Sequence, residues 1–226
     1  MDVEKGGHAS FISPDHLKRF NLLFADLTYY QLGPSEIYGK DLKVIPFDIQ
    51  ARRFDLALLD GHNLRTQVHE LPWDGVRLSL SQIILGFQSV KHGGTIVIKL
   101  SRPETVYTAR ILYMLDKLCF GLSTCKPKSM HSNRASFYAI AKGVGLGEEG
   151  ARLPNILNHL KHLWLETTFG GEEGRGRPVT PSDLDFVIKL EDLQNRYLGR
   201  LIQLGQKVWK TQAAGIHRLL QKNMTI

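Results

Sequence analysis

Short apolar runs alternate with helical patterns along the first two thirds of the chain. The run "FDLALLDGH" is apolar up to Asp60, and "GGTIVIKL" is a glycine turn that leads into a second apolar run containing Lys99. Between them, "VRLSLSQIILGFQSV" has apolar residues at helical spacing: Val76, Leu80, Ile83, Ile84 and Phe87. With "KHGG" closing the helix, the pattern predicts a strand, a helix and a second strand, which is a βαβ unit.

Further elements on either side continue this pattern. The run "RFNLLFADLTYY" is typical of a short buried strand that ends at Asp26. "ETVYTARILYMLDKLCF" predicts a helix, and "SFYAIAKG" predicts a last strand. Continuous apolar strands that alternate with helices favour a parallel sheet with helices on both faces. The sequence therefore predicts an α/β fold.

The composition changes after residue 143, so we divide the chain into a domain at 1–143 and a linker with a C-terminal helical extension at 144–226. "LPNILNHLKHLWLE" predicts an apolar helix and "GGEEGRGRPVTPSD" a mobile loop. A long amphipathic helix is expected from about 192 to 222. Its apolar stripe comprises Leu193, Tyr197, Leu201, Leu204, Val208 and Ile216. That stripe either packs on the core of the chain or binds a protein partner or a second copy.

Charge and composition narrow the classes of partner. The 226-residue chain is 42% hydrophobic and carries 29 Lys and Arg against 22 Asp and Glu, a formal net charge of +7. The length and hydrophobic content are those of an ordinary globular domain with an appendage. The positive charge is compatible with an anionic partner such as nucleic acid, and equally with a basic protein that has none.

Several classes of protein are disfavoured. Cys119 and Cys125 lie too close together in the sequence for a disulfide between them to stabilise the fold. They are expected to be free thiols of a reducing compartment. No Cys/His cluster has zinc spacing, so no metal site is predicted. No apolar run approaches the ~18 to 20 residues needed to span a bilayer, and the polar start "MDVEKGGHAS" is unlike a signal peptide. We expect a soluble, intracellular protein without a membrane partner.

Three charged residues fall at the carboxyl ends of predicted strands: Asp26, Asp60 and Lys99. A buried ammonium is costly unless it is paired or functional, and ligands of parallel α/β sheets bind where the carboxyl ends of the strands meet the loops. The three residues are therefore candidates for binding or catalysis. Alternatively, Lys99 reaches solvent from its strand end, and Asp26 forms a turn after its strand.

The segments "FDLALLDG", "LSLSQIILGFQSVKHGGTIVIKL" and "STCKPKSMHSNRASFYAIAKG" resemble, in order and spacing, the FtsJ-like (RrmJ) family of S-adenosylmethionine-dependent RNA ribose 2′-O-methyltransferases. The resemblance covers about residues 20 to 143. It implies a Rossmann-like methyltransferase sheet, S-adenosylmethionine as cofactor and RNA as substrate, without indicating which RNA.

The family uses a Lys-Asp-Lys-Glu tetrad, of which Asp60 matches the aspartate and Lys99 the second lysine. The resemblance implies that Lys99 is the base for the ribose hydroxyl, that Asp60 orients Lys99 and contacts the cofactor, and that Asp26 contacts the adenine. A ribose hydroxyl is a poor nucleophile at neutral pH, so methyl transfer needs an adjacent base. A lysine can serve if burial or neighbouring cations lower its pKa.

Basic residues near these positions suit contacts to phosphate. They are Arg102, Lys126, Lys128 and Arg134. A solvated basic face is the alternative for each of them. Trp73, in "HELPWDG", either stacks on a base or packs in the protein.

The sequence departs from the family pattern at three points. No glycine-rich loop precedes "RFNLLFADLT", the first lysine of the tetrad is absent, and Ser136 stands where the family has its final glutamate. "GLGEEG", residues 145 to 150, does not replace the loop, because its acidic pair repels phosphate, and we interpret it as a linker. We therefore expect an N-terminally incomplete sheet in a chain that begins too late. The alternative function is an inactive methyltransferase-like module that binds RNA or protein.

Overall fold

The computed structural model describes residues 13–19, 21, 23, 26–34, 42–51, 53–62, 71–129 and 131–224. The strands among them are β1 (Phe54–Leu59), β2 (Val90–Ser101), β3 (Cys119–Cys125) and β4 (Ser136–Val144). The α-helices are α1 (Pro14–Leu17), α2 (Phe47–Gln50), α3 (Asp74–Ser89), α4 (Val106–Leu118), α5 (Leu153–Phe169), α6 (Leu190–Asp192) and α7 (Leu198–Asn223). Short 3-10 helices span Leu27–Tyr29, Gly150–Arg152 and Pro181–Leu184, and a π-helical turn, Leu193–Tyr197, joins α6 to α7.

The predicted βαβ unit is present as β1, α3 and β2. β1 and β2 are parallel neighbours, with Leu59 opposite Ile98. The predicted apolar stripe of α3 is buried, apart from the partly buried Val76 at its start. One detail differs, because α3 ends at Ser89 and "KHGG" belongs to β2 rather than to the helix end. Gly93 in that segment has a φ of 79°, a conformation that favours glycine, and the register with β1 shifts there.

The sheet is mixed, so the prediction of a wholly parallel sheet was wrong. Its strand order is β1-β2-β4-β3, and β4 is antiparallel to both of its neighbours. The sequence pattern did not indicate β3, because Cys119 and Phe120 continue the apolar pattern of α4 but begin the strand. The segment 126–135 is too short for a helical crossover, so β4 returns antiparallel to β3. The predicted α/β class is confirmed, with a crossover unit of the kind found in Rossmann-like sheets.

The two faces of the sheet differ in burial. Ile96, Ile98 and Ala139 lie on one face, are at most 2% exposed and belong to the main core. Helix α3 packs on this face, where its Gly86 meets the Leu59 and Ile96 side chains. Alternate residues of β2 and β4 lie on the opposite face and are half-buried. In the described part of the chain, helices therefore cover one face more completely than the other.

Residues beyond β4 join the same core. Trp164 of α5 is fully buried, and its indole Nε1 donates to the Ser81 hydroxyl of α3 at 3.0 Å. The predicted stripe of the long C-terminal helix is buried from Leu193 to Val208, which confirms that it packs on the chain's own core. Ile216 is the exception at 40% exposure, because the helix extends past the core there.

The loop that we expected to be mobile is anchored by ion pairs. Arg177 donates to both carboxylate oxygens of Asp183, at 2.7 and 2.9 Å, and to Glu166 at 3.1 Å. Asp183 also accepts from the Thr180 backbone N–H at 2.7 Å, which completes a capping box for the following 3-10 helix. The guanidinium of Arg177 lowers the pKa of Asp183 to about 2.

The "GLGEEG" segment forms a tight connection between β4 and α5. The Gly145 and Gly147 N–H groups both donate to the Leu118 carbonyl at the end of α4, at 2.9 and 3.2 Å. Its backbone donors are therefore used to fix the chain against α4, which agrees with the linker interpretation.

Candidate active site

Lys99 and Asp60 meet at the carboxyl edge of the parallel pair β1 and β2. Because Leu59 lies opposite Ile98, the next residues along the two strands are neighbours. The Lys99 ammonium lies 2.5 Å from Asp60 Oδ1 and donates to the Asp60 carbonyl at 3.2 Å. The Lys99 side chain is 27% exposed, since it stands on the half-buried face of the sheet and is not enclosed in the core. The structure thus brings together the two residues that the sequence pattern singled out.

Tyr138 completes this cluster, although the sequence pattern did not single it out. It lies directly opposite Lys99 in the β2–β4 pair, and its hydroxyl donates to Asp60 Oδ2 at 3.1 Å. Burial, and then the negative charge of Asp60, raise the pKa of Tyr138 above its usual value. The phenol therefore stays protonated, so that Asp60 is held by an ammonium on one oxygen and a hydroxyl on the other.

Ser136 lies on the same sheet face as this cluster. It precedes Tyr138 by two residues in β4 and pairs with Ser101 of β2, two residues beyond Lys99. The position that the family pattern gives to a glutamate is therefore on the face of the site, and in this chain it carries a hydroxyl. Ser136 is partly buried and carries no charge.

Helix α3 fixes the turn that follows Asp60. The Gly61 N–H donates to Gln82 Oε1 at 2.7 Å, and Gln82 is 5% exposed. A Cβ at Gly61 would lie 2.9 Å from that oxygen, so a larger residue there would displace the Gln82 side chain. Gln82 is therefore a positioning residue for the Asp60 turn. Its signal in the sequence is a polar residue within the apolar face of α3.

Asp26 begins the 3-10 helix Leu27–Tyr29 as its N-cap. One carboxylate oxygen accepts from both the Thr28 N–H, at 2.9 Å, and the Thr28 hydroxyl, at 2.7 Å. The turn-forming role that we considered from sequence is therefore present. The strand predicted before Asp26 falls mainly on residues outside the described part of the chain.

Arg102, Lys128 and Arg134 are exposed at the site's edge of the sheet. Arg102 directly follows β2 and has a φ of 47°, which is uncommon for a residue other than glycine. Its backbone is held in that conformation because its N–H donates to the Ala135 carbonyl and its carbonyl accepts from the Thr105 N–H. The loop after β2 is therefore tied to the segment before β4.

Lys126 has a different environment from the other predicted phosphate contacts. It is 8% exposed, and its ammonium donates to the carbonyls of Arg134 and Ser136, both at 2.6 Å. A longer bond of 3.4 Å reaches the His131 carbonyl. Burial lowers the pKa of Lys126. Through these bonds Lys126 ties the two ends of the β3–β4 connection together beside the site.

Trp73 is the N-cap residue of α3 and is partly buried. Its indole nitrogen is enclosed and lies close to Gly176 in the anchored loop, where a Cβ on Gly176 would come within 3.1 Å of it. The packing interpretation of Trp73 is therefore the one that the structure supports.

Three further observations concern the cysteines, possible metal sites and possible membrane-spanning helices of the described residues. Cys119 is buried and Cys125 exposed, and both are free thiols. Among the described residues, no three His, Cys, Asp or Glu side chains are grouped as a metal site would require. No helix in that part of the chain is long and apolar enough to cross a membrane.

Comparison with known proteins identifies a family over more than half of the chain. The model of the family described as FtsJ-like methyltransferase matches residues 11–144. The match ends at the last residue of β4 and includes Asp60, Lys99 and Tyr138. No curated protein matches the sequence.

Proposed function

The chain belongs to the FtsJ-like methyltransferase family, and from this premise we propose that it transfers a methyl group from S-adenosylmethionine to the 2′-hydroxyl of an RNA ribose. The single observation that supports this reaction best is the contact between Lys99 and Asp60 at the carboxyl edge of the sheet. This edge is where α/β sheets bind their ligands. A lysine and a carboxylate in contact there form a pair that can bind a hydroxyl and accept its proton.

S-adenosylmethionine supplies, when bound, an electrophilic methyl carbon on a sulfonium, which becomes a neutral thioether as the oxygen–carbon bond forms. Once its ammonium has released a proton to solvent, Lys99 accepts the proton of the ribose hydroxyl at Nζ. Asp60 orients Nζ through Oδ1, while Tyr138 holds Oδ2 and so fixes the plane of the carboxylate. The Asp60 carboxylate fits the cofactor chemically, because it is a hydrogen-bond acceptor and a counter-charge for a sulfonium, and the resemblance assigns the contact with the adenine amine to Asp26.

In this proposal Arg102, Lys128 and Arg134 contact phosphates of the RNA. They are exposed at the edge that carries Lys99, as phosphate contacts require. Lys126 contributes indirectly, by stabilising the β3–β4 connection, because its ammonium donates to backbone carbonyls.

One observation favours a second function. Ser136 replaces the acidic member of the tetrad on the face of the site, so the cluster lacks one of the charges that the family pattern uses. A methyltransferase-like module that binds RNA or protein without turnover would tolerate this replacement. Association through the C-terminal helix belongs to this second candidate.

The deciding experiment measures methyl transfer to RNA from labelled S-adenosylmethionine by the full chain and by two lysine variants. Lys99→Ala removes the proposed base. Lys91→Ala is the matched control, because Lys91 lies on the same strand and also pairs with a β1 carboxylate, Asp55, at the opposite edge. Loss of a positioned general base slows the reaction by typically 10²- to 10⁴-fold, roughly the effect we expect for Lys99→Ala.

Calorimetric titration with S-adenosylmethionine and an RNA-binding assay accompany the rate measurements. We expect the Lys99→Ala variant to bind both ligands as the unchanged chain does, and the Lys91→Ala variant to keep its activity. Equal rates for Lys99→Ala and the unchanged chain would contradict the assignment of the base. RNA binding without any methyl transfer by the unchanged chain would favour the inactive module.

A further inference from the structure

A basic cleft lies between the β3–β4 connection and α7. Its volume is about 530 Å³. One wall is formed by the end of β3 and the residues that follow it, including Cys125 and Lys128, and the other wall is formed by α7. No acidic side chain is among the described residues that line the cleft. Five cationic side chains line it: Lys126, Lys128, Lys207, Lys210 and Arg218.

The contribution of α7 follows from its helical spacing. Lys210 follows Lys207 by three residues, and Arg218 follows Lys207 by eleven. All three side chains therefore lie on one face of the helix. Thr211 and Ala214 share this face and leave the cleft open, because their side chains are short. The face is distinct from the buried stripe that attaches α7 to the core.

Among the described residues, no carboxylate neutralises the charges of the cleft. In the described part of the chain, Lys128, Lys207 and Lys210 form no ion pair with a carboxylate. Arg218 donates instead to the Ser132 hydroxyl at 3.4 Å. Cations that face each other across a cleft repel one another, and a polyanion placed between them would remove this repulsion.

The helix carries these cations to the edge of the sheet that holds Lys99. Arg200, near the start of α7, pairs with Asp116 near the end of α4, and Trp209 donates to Glu104 just before α4 begins. α7 therefore runs antiparallel to α4 and reaches the loops after β2 and β3 with its second half. Cys125 in the cleft lies opposite Tyr138, the residue that holds Asp60.

The two walls are fixed relative to each other by a close contact. Gly215 of α7 is buried against Ser132 and Asn133 of the β3–β4 connection, where a Cβ would come within 2.6 Å of the backbone. Lys126 holds the same connection from the inside. The cleft is therefore a preformed feature, and a bound ligand does not have to order it.

We propose that this cleft binds the sugar–phosphate backbone of the RNA next to the methylated ribose, so that the C-terminal helix is part of the substrate site. This inference rests on the proposed function. A polyanion with regularly spaced charges fits the row of exposed cations on α7 that faces Lys128. None of the described residues that line the cleft is a large apolar side chain that would anchor a folded protein partner.

The test measures the binding of a fluorescent single-stranded RNA to the full chain by anisotropy, as a function of salt. The cleft variant is Lys207→Gln/Lys210→Gln. The matched control is Lys142→Gln/Lys189→Gln, which removes the same charge from exposed lysines outside the cleft. A single-site variant of the opposite wall, Lys128→Gln, provides an independent measurement.

Loss of two phosphate contacts should raise Kd roughly 10- to 30-fold at about 100 mM salt and reduce the slope of log K against log salt by about 1.4. Lys128→Gln should reduce that slope by about half as much, and the control should leave it unchanged apart from a small general effect. S-adenosylmethionine binding, measured by calorimetry, should be the same for all variants.

Two of the three contrary results bear on the inference alone, and the third also bears on the proposal on which it rests. RNA binding by the cleft variant that equals that of the control would overturn the inference and leave the methyltransferase proposal standing. Failure of the unchanged chain to bind RNA would overturn both. Binding of a polyglutamate peptide as tightly as RNA would overturn the inference in favour of an acidic protein partner.

Discussion

Tyr138 connects the two charged residues of the site through the register of the sheet. Its hydroxyl holds one oxygen of Asp60 while Lys99 holds the other. For Tyr138→Phe we expect kcat to fall roughly 10- to 100-fold with KM for RNA unchanged, because a hydrogen bond to a charged group contributes about 1.5–3 kcal/mol. The measurement is the initial rate of RNA methylation at saturating S-adenosylmethionine.

A second tyrosine supplies the control for this prediction. Tyr113 of α4 donates to Glu149 at 3.3 Å and is not part of the cluster of Lys99, Asp60 and Tyr138, so Tyr113→Phe removes a similar tyrosine–carboxylate bond outside it. We expect its rate to match that of the unchanged chain. An equal loss of rate in both variants would mean that general stability, and not the orientation of Asp60, is affected.

The sequence predicted individual site residues where strand ends alone decide their position. Asp60 and Lys99 follow directly from two apolar runs that end at the same edge of a parallel pair. Tyr138 was not accessible in this way, because its position depends on an antiparallel pairing that the pattern did not indicate. Lys126 was predicted as a phosphate contact from its charge, whereas its burial depends on the fold of the β3–β4 connection.

Among the elements, the anchored loop before α6 contains an ion pair between Arg177 and Asp183. The pKa of Asp183 is lowered from 3.8 to about 2, chiefly by its hydrogen bonds with Arg177. Because the folded state lowers this pKa, the pair contributes stability above about pH 4 and loses it as pH falls through about 2. The shift corresponds to about 2 kcal/mol of unfolding free energy.

Asp183→Asn should therefore flatten the dependence of stability on pH between about 4 and 2 by about 2 kcal/mol relative to the unchanged chain. Urea unfolding followed by circular dichroism at several pH values measures this difference. Glu173→Gln is the control in the same loop, since Glu173 and its partner Arg175 are both largely exposed and contribute little. Parallel pH profiles for the unchanged chain and Asp183→Asn would contradict the prediction.

Elements with a regular hydrophobic pattern were predicted from the sequence, and elements without such a pattern were not. The apolar stripe of α3 has the spacing that burial on one side of a helix requires, and the apolar runs of β1 and β2 form strands where they were expected. β3 was missed because "CFGLSTC" is short, contains a glycine and follows α4 without an interruption. The antiparallel insertion of β4 was missed with it, because strand direction depends on the length of the connection.

At the scale of the whole molecule, the segment that matches the family and the segment that follows it share one core. Trp164 of α5 and Val208 of α7 are fully buried in the cluster that also contains Ile98 and Ala139 of the sheet. The family match ends at Val144, yet the packing does not. The amphipathic pattern of the C-terminal helix predicted that it would pack somewhere, and only the three-dimensional structure shows that it packs on α4 and β3.

A shared core predicts that the sheet and the C-terminal helices unfold together. Trp164→Ala should cost about 3–5 kcal/mol of unfolding free energy, because it leaves a large cavity and removes the bond to Ser81. Trp209→Ala is the matched control and should cost less, since Trp209 is only partly buried. Amide hydrogen exchange should show that Trp164→Ala weakens protection in peptides from β2 and from α5 by the same free energy. If protection fell in α5 alone, the C-terminal segment would be an independent unit, and the cleft on α7 would be attached to the sheet without being part of its cooperative structure.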